Sequence, residues 1–501
     1  MNTLARHVLS RGLTGIVLFG CVLTLVTAAP DISTNRGAVS TDLHWSPCPD
    51  IPETECAGIE VPVDPARPDG PRFTLRIGRM PVLDPAQRKG LLLFIPGGPG
   101  PGIAKTIGGD GRKANHVDEF RREWDAVSFD PRGLEQSNPI RCSPDRLPPE
   151  IAPTDRPPTA AEFEAIARAN AAFFRSCVEA TGELMAHLSA MDTAADVEQI
   201  RLALSPNDGL VTYAASYGSL YAQAYLERYP GHVKAMVLDA NMDHSVDLPT
   251  FITRNMLAVQ DGFDQLAAWC GRDSACALHG QDVGTVFDAV VAAAPVTRIL
   301  VPQFLAAGRD PDFGWPAIAR MLADVRSGNT ATLDALAGVQ AAFMTSAADD
   351  PQLTAGKNGQ FPAVLCADFG PQRNYTAFAA AAEAIIRRAP RFAWRFWDAT
   401  PIPHGTGGVG DCVGWPYEAR NPPHRLQVGS HPNVMVANGS HDSQTPLINA
   451  VSVWLQIPDA RLLIADVDGH GALPQSACVY EAIARFLTDP RSVGQTTICP
   501  N

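Results

Sequence analysis

The sequence predicts an α/β fold: a mostly parallel sheet with helices on both faces, and a large helical cap inserted before the last sheet strands. Three observations carry this reading. Short apolar runs at 91–95, 124–130, 210–215 and 234–239 alternate with helical stretches. One of those runs ends abruptly at Ser216, and helical spacing begins directly after it. From about 241 to 427 the strand rhythm gives way to alanine-rich helical segments, and it resumes at Asn433. Alternating strands and helices call for parallel strands joined by crossovers, which cover both faces of the sheet.

Taken in order, residues 58–63 and 72–80 read as a leading pair of strands joined by a proline-rich turn at 65–71. The apolar run 91–95 stops at Pro96-Gly-Gly-Pro-Gly-Pro-Gly102, a loop whose backbone N–H groups can face a ligand. Strand 124–130 leads into Asp130-Pro-Arg-Gly-Leu-Glu-Gln-Ser137, where Arg132 is expected to tie neighbouring loops together. Helices are expected at 160–181 and 192–204, the second capped by the stretch that begins at Asp192. Beyond strand 234–239, cap helices are expected at 251–271, 282–294 and 376–388. Strands 433–437 and 461–465 complete the sheet, and an amphipathic helix near 476–487 closes the chain. The resulting division is a signal segment 1–28, a first core part 45–240, a helical cap 241–427 and a C-terminal core part 428–501.

A net charge of -13 argues against nucleic acid and anionic membrane surfaces as partners, because both need a basic face. Arg6 and Arg11 precede the apolar run 13–26, and the small residues Ala28 and Ala29 follow it. This is the pattern of an export signal cleaved after Ala28, leaving a secreted or cell-envelope protein with no membrane span. A lipoprotein box around Cys21 is the weaker reading, because apolar residues continue past that cysteine and Phe19 is bulky for the site. Removing Cys21 from the 11 cysteines leaves ten, an even number suited to an oxidising compartment. Short loops close at little entropic cost, so Cys48–Cys56 and Cys270–Cys276 are the first pairs expected. Cys142–Cys177, Cys366–Cys412 and Cys478–Cys499 follow in chain order. The sequence has no Cys-x-x-Cys or His-Glu-x-x-His spacing, so a metal site is rejected and no cofactor is expected.

Ser216 stands on a strand-to-helix turn flanked by Ala214 and Gly218, where a hydroxyl can be exposed as a nucleophile. A reactive serine needs a histidine as base and an acid to orient that histidine. Asp442 follows strand 433–437, and His470 follows strand 461–465. The order Ser216, Asp442, His470 is that of a triad assembled at the carboxyl ends of parallel strands. Asp466 and Asp468 are rival acids that sit beside His470 on one loop, and His441 is a rival base that should point away from its neighbour Asp442.

Pro96-Gly-Gly-Pro-Gly100, Asp130-Pro-Arg-Gly133, Ala215-Ser-Tyr-Gly218, Asp442-Ser-Gln-Thr-Pro446, Gly469-His-Gly471 and the closing Cys478 and Cys499 together resemble a known group. It is the secreted tripeptidyl aminopeptidase and proline iminopeptidase group of α/β-hydrolases, the S33-type serine peptidases of actinobacterial type. The likeness runs from about Trp45 to Cys499, and Ala214 departs from it where glycine is usual. It implies that the N–H groups of Gly98 and Tyr217 hold the oxyanion, in keeping with the physical reading of both loops. It also implies a negative pocket in the cap for the substrate's ammonium group. Asp368, held by a disulfide at Cys366, is the first candidate for that role. The function implied is a secreted aminopeptidase that releases short N-terminal peptides or residues through an acyl-enzyme on Ser216. An esterase or amidase acting on a small or blocked substrate is the alternative, since fold and triad do not fix the leaving group.

Overall fold

The computed structural model describes residues 43–100, 102–148, 156–344, 350–397 and 408–500. The expected export segment and Cys21 lie outside them. Ten strands form one sheet: β1 (Ser46–Pro47), β2 (Glu55–Pro62), β3 (Arg72–Met80), β4 (Gly90–Ile95), β5 (Trp124–Phe129), β6 (Leu210–Ala215), β7 (Val233–Asp239), β8 (Val434–His441), β9 (Arg461–Asp468) and β10 (Thr496–Cys499). Their spatial order is β1-β2-β3-β5-β4-β6-β7-β8-β9-β10. The pairings from β1 to β5 through β3 are antiparallel, and those from β5 through β4 to β10 are parallel. The central strands β4, β6 and β7 are apolar on both faces because helices cover both, which removes the alternation an open antiparallel strand would show.

The expected strands are present, with edges that shift for physical reasons. Strand β8 runs on to His441, past the apolar run, because Asn438 inside the sheet is fully satisfied: it accepts from Asn241 N–H and donates to the carbonyls of Gly439 and Thr445. Strand β10 has no sequence pattern of its own; it pairs with β9 and is fastened by Cys478–Cys499. The helix expected from 192 begins earlier, at Ala190. Its cap is Ser189, and Asp192 is the third helical residue, whose carboxylate reaches back to the Ser189 N–H and hydroxyl.

Between β7 and β8 the described chain is helical, including Leu248–Arg272, Val283–Ala293, Thr297–Phe304, Trp315–Arg326, Pro351–Phe369 and Tyr375–Ile386. Part of this insertion has its own core, with Phe263, Phe287, Trp315, Leu322 and Phe392 at its centre. The long helix Pro351–Phe369 contains Gly356 and Gly359 together with Pro362, so it does not read as a helix from sequence. The glycines serve packing: a Cβ at Gly356 would lie 1.8 Å from the Ile140 carbonyl oxygen, and one at Gly359 would crowd Phe173. Disulfides join Cys48–Cys56, Cys142–Cys177, Cys270–Cys276, Cys366–Cys412 and Cys478–Cys499. Among the described residues no helix is long and apolar enough to cross a membrane, and no cluster of metal-ligating side chains occurs.

Arg132 is structural, as its position in a turn suggested. It is 1% exposed and forms a two-pronged pair with Asp196 at 2.8 and 2.7 Å. It also donates to the carbonyls of Val63 and His187, so it joins β2, the loop after β5 and the helix Ala190–Leu204. Arg132→Met is expected to destabilise the protein by about 3–5 kcal/mol in denaturant unfolding, because Asp196 is left buried without its cation. Adding Asp196→Leu should recover much of that loss. A cost under about 1 kcal/mol for the single change would show that the pair does not bear on stability.

Candidate active site

The candidate triad residues and the candidate oxyanion amides lie at the same edge of the sheet, where the parallel strands end. Ile95 of β4 is paired with Ala214 of β6, Ala215 with Asp239 of β7, and Asp239 with Ala437 of β8. Side chains just beyond these positions therefore share one crevice.

Ser216 sits between β6 and the helix Tyr217–Arg228, at φ 56° and ψ -127°. This is strained backbone for a residue with a side chain, and its surroundings impose it. The Ser216 N–H donates to the Asp239 carbonyl at 3.0 Å, and its carbonyl accepts from the N–H and hydroxyl of Ser219. Gly218 lets the helix start there, because a Cβ would stand 2.4 Å from the Ile95 carbonyl oxygen. Ala214, in the place where glycine is usual, is wholly buried in β6 and its methyl is accommodated. The glycine loop after β4 lies directly against the serine: a Cβ on Gly97 would be 2.9 Å from Ser216 Cβ. Gly98 adopts φ 111°, which residues with a Cβ rarely take. Tyr217 is the first residue of its helix, where the backbone N–H has no acceptor within the helix and the helix dipole is positive.

Asp442 and His470 are brought together. His470 Nδ1 lies 3.0 Å from each carboxylate oxygen of Asp442. The carboxylate also accepts from the N–H groups of Gln444, Thr445 and Gly471 and from the Thr445 hydroxyl, so the ring cannot draw it out of position. Burial works against charge on Asp442, but the charge and hydrogen bond of His470 and the amides of Thr445 and Gly471 outweigh it and hold the carboxyl below its ordinary range. Burial likewise disfavours a charged His470, and Asp442 overcomes this with help from Asp239, so the ring is held above its ordinary value. With Nδ1 facing a carboxylate, the proton resides there and Nε2 is left as an acceptor.

The rival residues are engaged elsewhere. Asp468 pairs with Arg309 at 2.8 Å, Asp466 accepts from the Ser440 hydroxyl, and His441 Nδ1 meets Asp261 at 2.9 Å. Asp368 has a different setting from the one expected of it. It is 0% exposed, and its two oxygens accept from Ala190 N–H and the Tyr217 hydroxyl, both at 2.7 Å. Burial pushes its carboxyl up to about 7 despite those bonds. A substrate's ammonium group cannot reach it, and its visible work is to fasten the helix Pro351–Phe369 to two core helices. The resemblance, which implies an ammonium pocket in the cap, and a neighbouring disulfide had pointed to it, but neither says which way a carboxylate faces.

Three further residues take part that the sequence did not single out. Thr445 bonds Asp442 and lies 3.3 Å from His470 Nδ1. Asp239 accepts from the amides of the loop after His470. Ala306, in the insertion, accepts the His470 N–H at 2.7 Å. Of these, Asp239 had a signal as the acid that ends a predicted central strand, Thr445 had one as part of the Asp442-Ser-Gln-Thr-Pro446 motif, and Ala306 had none.

The family described as "alpha/beta hydrolase fold" matches residues 90–313, which hold the elbow, and the one described as "TAP-like protein" matches 405–499, which hold Asp442 and His470. The chain has the α/β-hydrolase fold. This hydrolase is 25% identical over 500 residues to a protein named tripeptidyl aminopeptidase from Streptomyces lividans, covering 92% of this chain and 87% of that one. It is 26% identical over 524 residues to serine protease Hip1 of Mycobacterium tuberculosis (strain H37Rv), covering 96% and 94%. It is also 28% identical over 528 residues to a protein named carboxylesterase B from M. tuberculosis (strain CDC 1551 / Oshkosh), covering 97% and 96%. The hydrolase is a serine hydrolase with peptidases among its relatives.

Proposed function

We propose that this hydrolase is an exported aminopeptidase that releases short N-terminal peptides, of the tripeptidyl type, or single residues through an acyl-enzyme on Ser216. The observation that carries the reading is the Asp442–His470 pair seated at the strand ends beside a strained serine elbow. Ser216 Oγ attacks the scissile carbonyl while its proton passes to His470 Nε2. The N–H groups of Gly98 and Tyr217 receive the oxyanion. His470 then protonates the leaving amine, and a water activated by the same ring hydrolyses the acyl-enzyme. Asp442 holds the ring's tautomer and stabilises its cation. The core part (45–240 with 428–501) supplies these groups, and the helical cap (241–427) bounds the substrate. Relatives named as aminopeptidases support the peptide substrate, and five disulfides support export to an oxidising compartment.

The test is the purified protein against aminoacyl, dipeptidyl and tripeptidyl p-nitroanilides, each with and without an N-acetyl block, alongside short acyl esters. A free N-terminus is expected to raise kcat/KM roughly ten- to a hundredfold, the worth of one charge-assisted hydrogen bond. Equal rates on free and blocked peptides, with faster turnover of esters, would favour an esterase or amidase. That second reading is kept because one relative of matching length is named a carboxylesterase.

A further inference from the structure

Asp239 ends β7 and is wholly buried, yet the reaction proposed above gives it no step. Its main chain and its side chain face two different parts of the site. The carbonyl accepts the Ser216 N–H at 3.0 Å, which pins the elbow. The carboxylate accepts from Ala472 N–H at 3.0 and 3.1 Å and from Leu473 N–H at 3.0 Å, both on the loop that carries His470. Tyr213 of β6 donates its hydroxyl to the same carboxylate at 2.8 Å. Burial pushes this carboxyl upward, against the pull of the Leu473 and Ala472 amides and of Tyr213, and the charge of Asp442 adds to the push. All its partners can donate, so the site suits the ionised carboxylate.

We infer that Asp239 is a positioning residue for the candidate triad, tying the Ser216 elbow to the His470 loop through one residue's carbonyl and carboxylate and adding a second negative charge behind the imidazole. Proton transfer from a serine to a histidine tolerates little displacement, and the two groups lie on loops far apart in sequence. A residue that bonds one loop through its carbonyl and the other through its carboxylate fixes their separation. The carboxylate makes no bond to the His470 ring, which Asp442 occupies, so it acts through the loop amides and through its field. The titratable groups facing it are Tyr213 from β6, Asp442 from the loop after β8 and His470 from the loop after β9.

The inference rests on Ser216 and His470 being the reacting pair, and the experiment separates the two claims. Wild type, Asp239→Asn, Ala472→Pro and His470→Ala are compared for kcat, KM, melting temperature and the pH dependence of kcat/KM on p-nitrophenyl acetate. Asp239→Asn keeps the shape and removes the charge. It is expected to lower kcat about 10- to 100-fold with KM within about threefold, and to move the acid limb of the pH profile down by about half to one pH unit. Ala472→Pro removes one donor at φ -83°, close to what proline adopts, and leaves the charge in place. It is expected to lower kcat with the acid limb unmoved. A folded Asp239→Asn protein whose acid limb stays at the wild-type pH would overturn the inference, since a structural role alone leaves the limb in place. If Asp239→Asn does not fold, wild-type kcat in Ala472→Pro overturns it equally. A His470→Ala protein that keeps its rate would instead remove the reading beneath it.

Discussion

Ser216→Ala is expected to lower kcat by about 10⁴- to 10⁶-fold on both anilide and ester substrates, while the melting temperature stays close to wild type. The hydroxyl is the only atom lost. The elbow is held by main-chain bonds, with the Ser216 N–H on the Asp239 carbonyl and the Ser216 carbonyl on Ser219, and alanine keeps both. The positive φ of 56° strains serine and alanine alike, so the change in stability should stay within about 1 kcal/mol. Substrate should still bind, because no charge and little volume are removed. A variant that retains more than about a hundredth of wild-type turnover would take Ser216 out of the mechanism.

Asp442→Asn is expected to cost about 10²- to 10⁴-fold in kcat. In the wild type the carboxylate accepts from three amides, one hydroxyl and His470, and an amide side chain cannot accept at all those places. Its NH₂ group would face His470 Nδ1, and the ring would respond by accepting there and carrying its proton on Nε2, the atom that must receive the proton of Ser216. The pH profile gives a second readout. His470 must be neutral to act as base, and Asp442 with Asp239 holds it above its ordinary value of 6.5. Wild-type kcat/KM should therefore rise with pH through a value above 6.5, and in Asp442→Asn that limb should lie at lower pH beneath a far lower plateau. Asp468→Asn breaks only the Arg309 pair and should cost less than about tenfold. If it proves the more damaging change, the acid has been misassigned.

The parallel strands and the triad candidates were legible because their signals are local. An apolar run that ends at a small residue, serine or acid marks a strand end, and the shared order of the strands then gathers those ends at one edge. Long-range contacts leave no such mark. Asp368 was a candidate for the ammonium pocket because a disulfide at Cys366 would hold it, whereas its partners Ala190 and Tyr217 come from helices far away in the chain. The helix Pro351–Phe369 was hidden by glycines that read as breakers locally but are close-packing sites in the fold. Strand β10 was hidden for the opposite reason: its four residues have no apolar periodicity, and it exists because β9 and a disulfide hold it.

The carbonyl of Ala306 receives the His470 N–H, and a Cβ on Gly308 would stand 2.3 Å from the Asp468 carbonyl oxygen, so the insertion backbone touches the histidine loop itself. Gln444, two residues beyond Asp442, donates to the Pro302 carbonyl of the same stretch. An engineer who exchanged this insertion for a relative's, in order to alter what the enzyme cleaves, would also be replacing part of the histidine's mounting. A chimera that carries over residues 302–309 unchanged keeps that mounting; one cut cleanly at the ends of β7 and β8 discards it, and its loss of turnover would be misread as poor substrate fit.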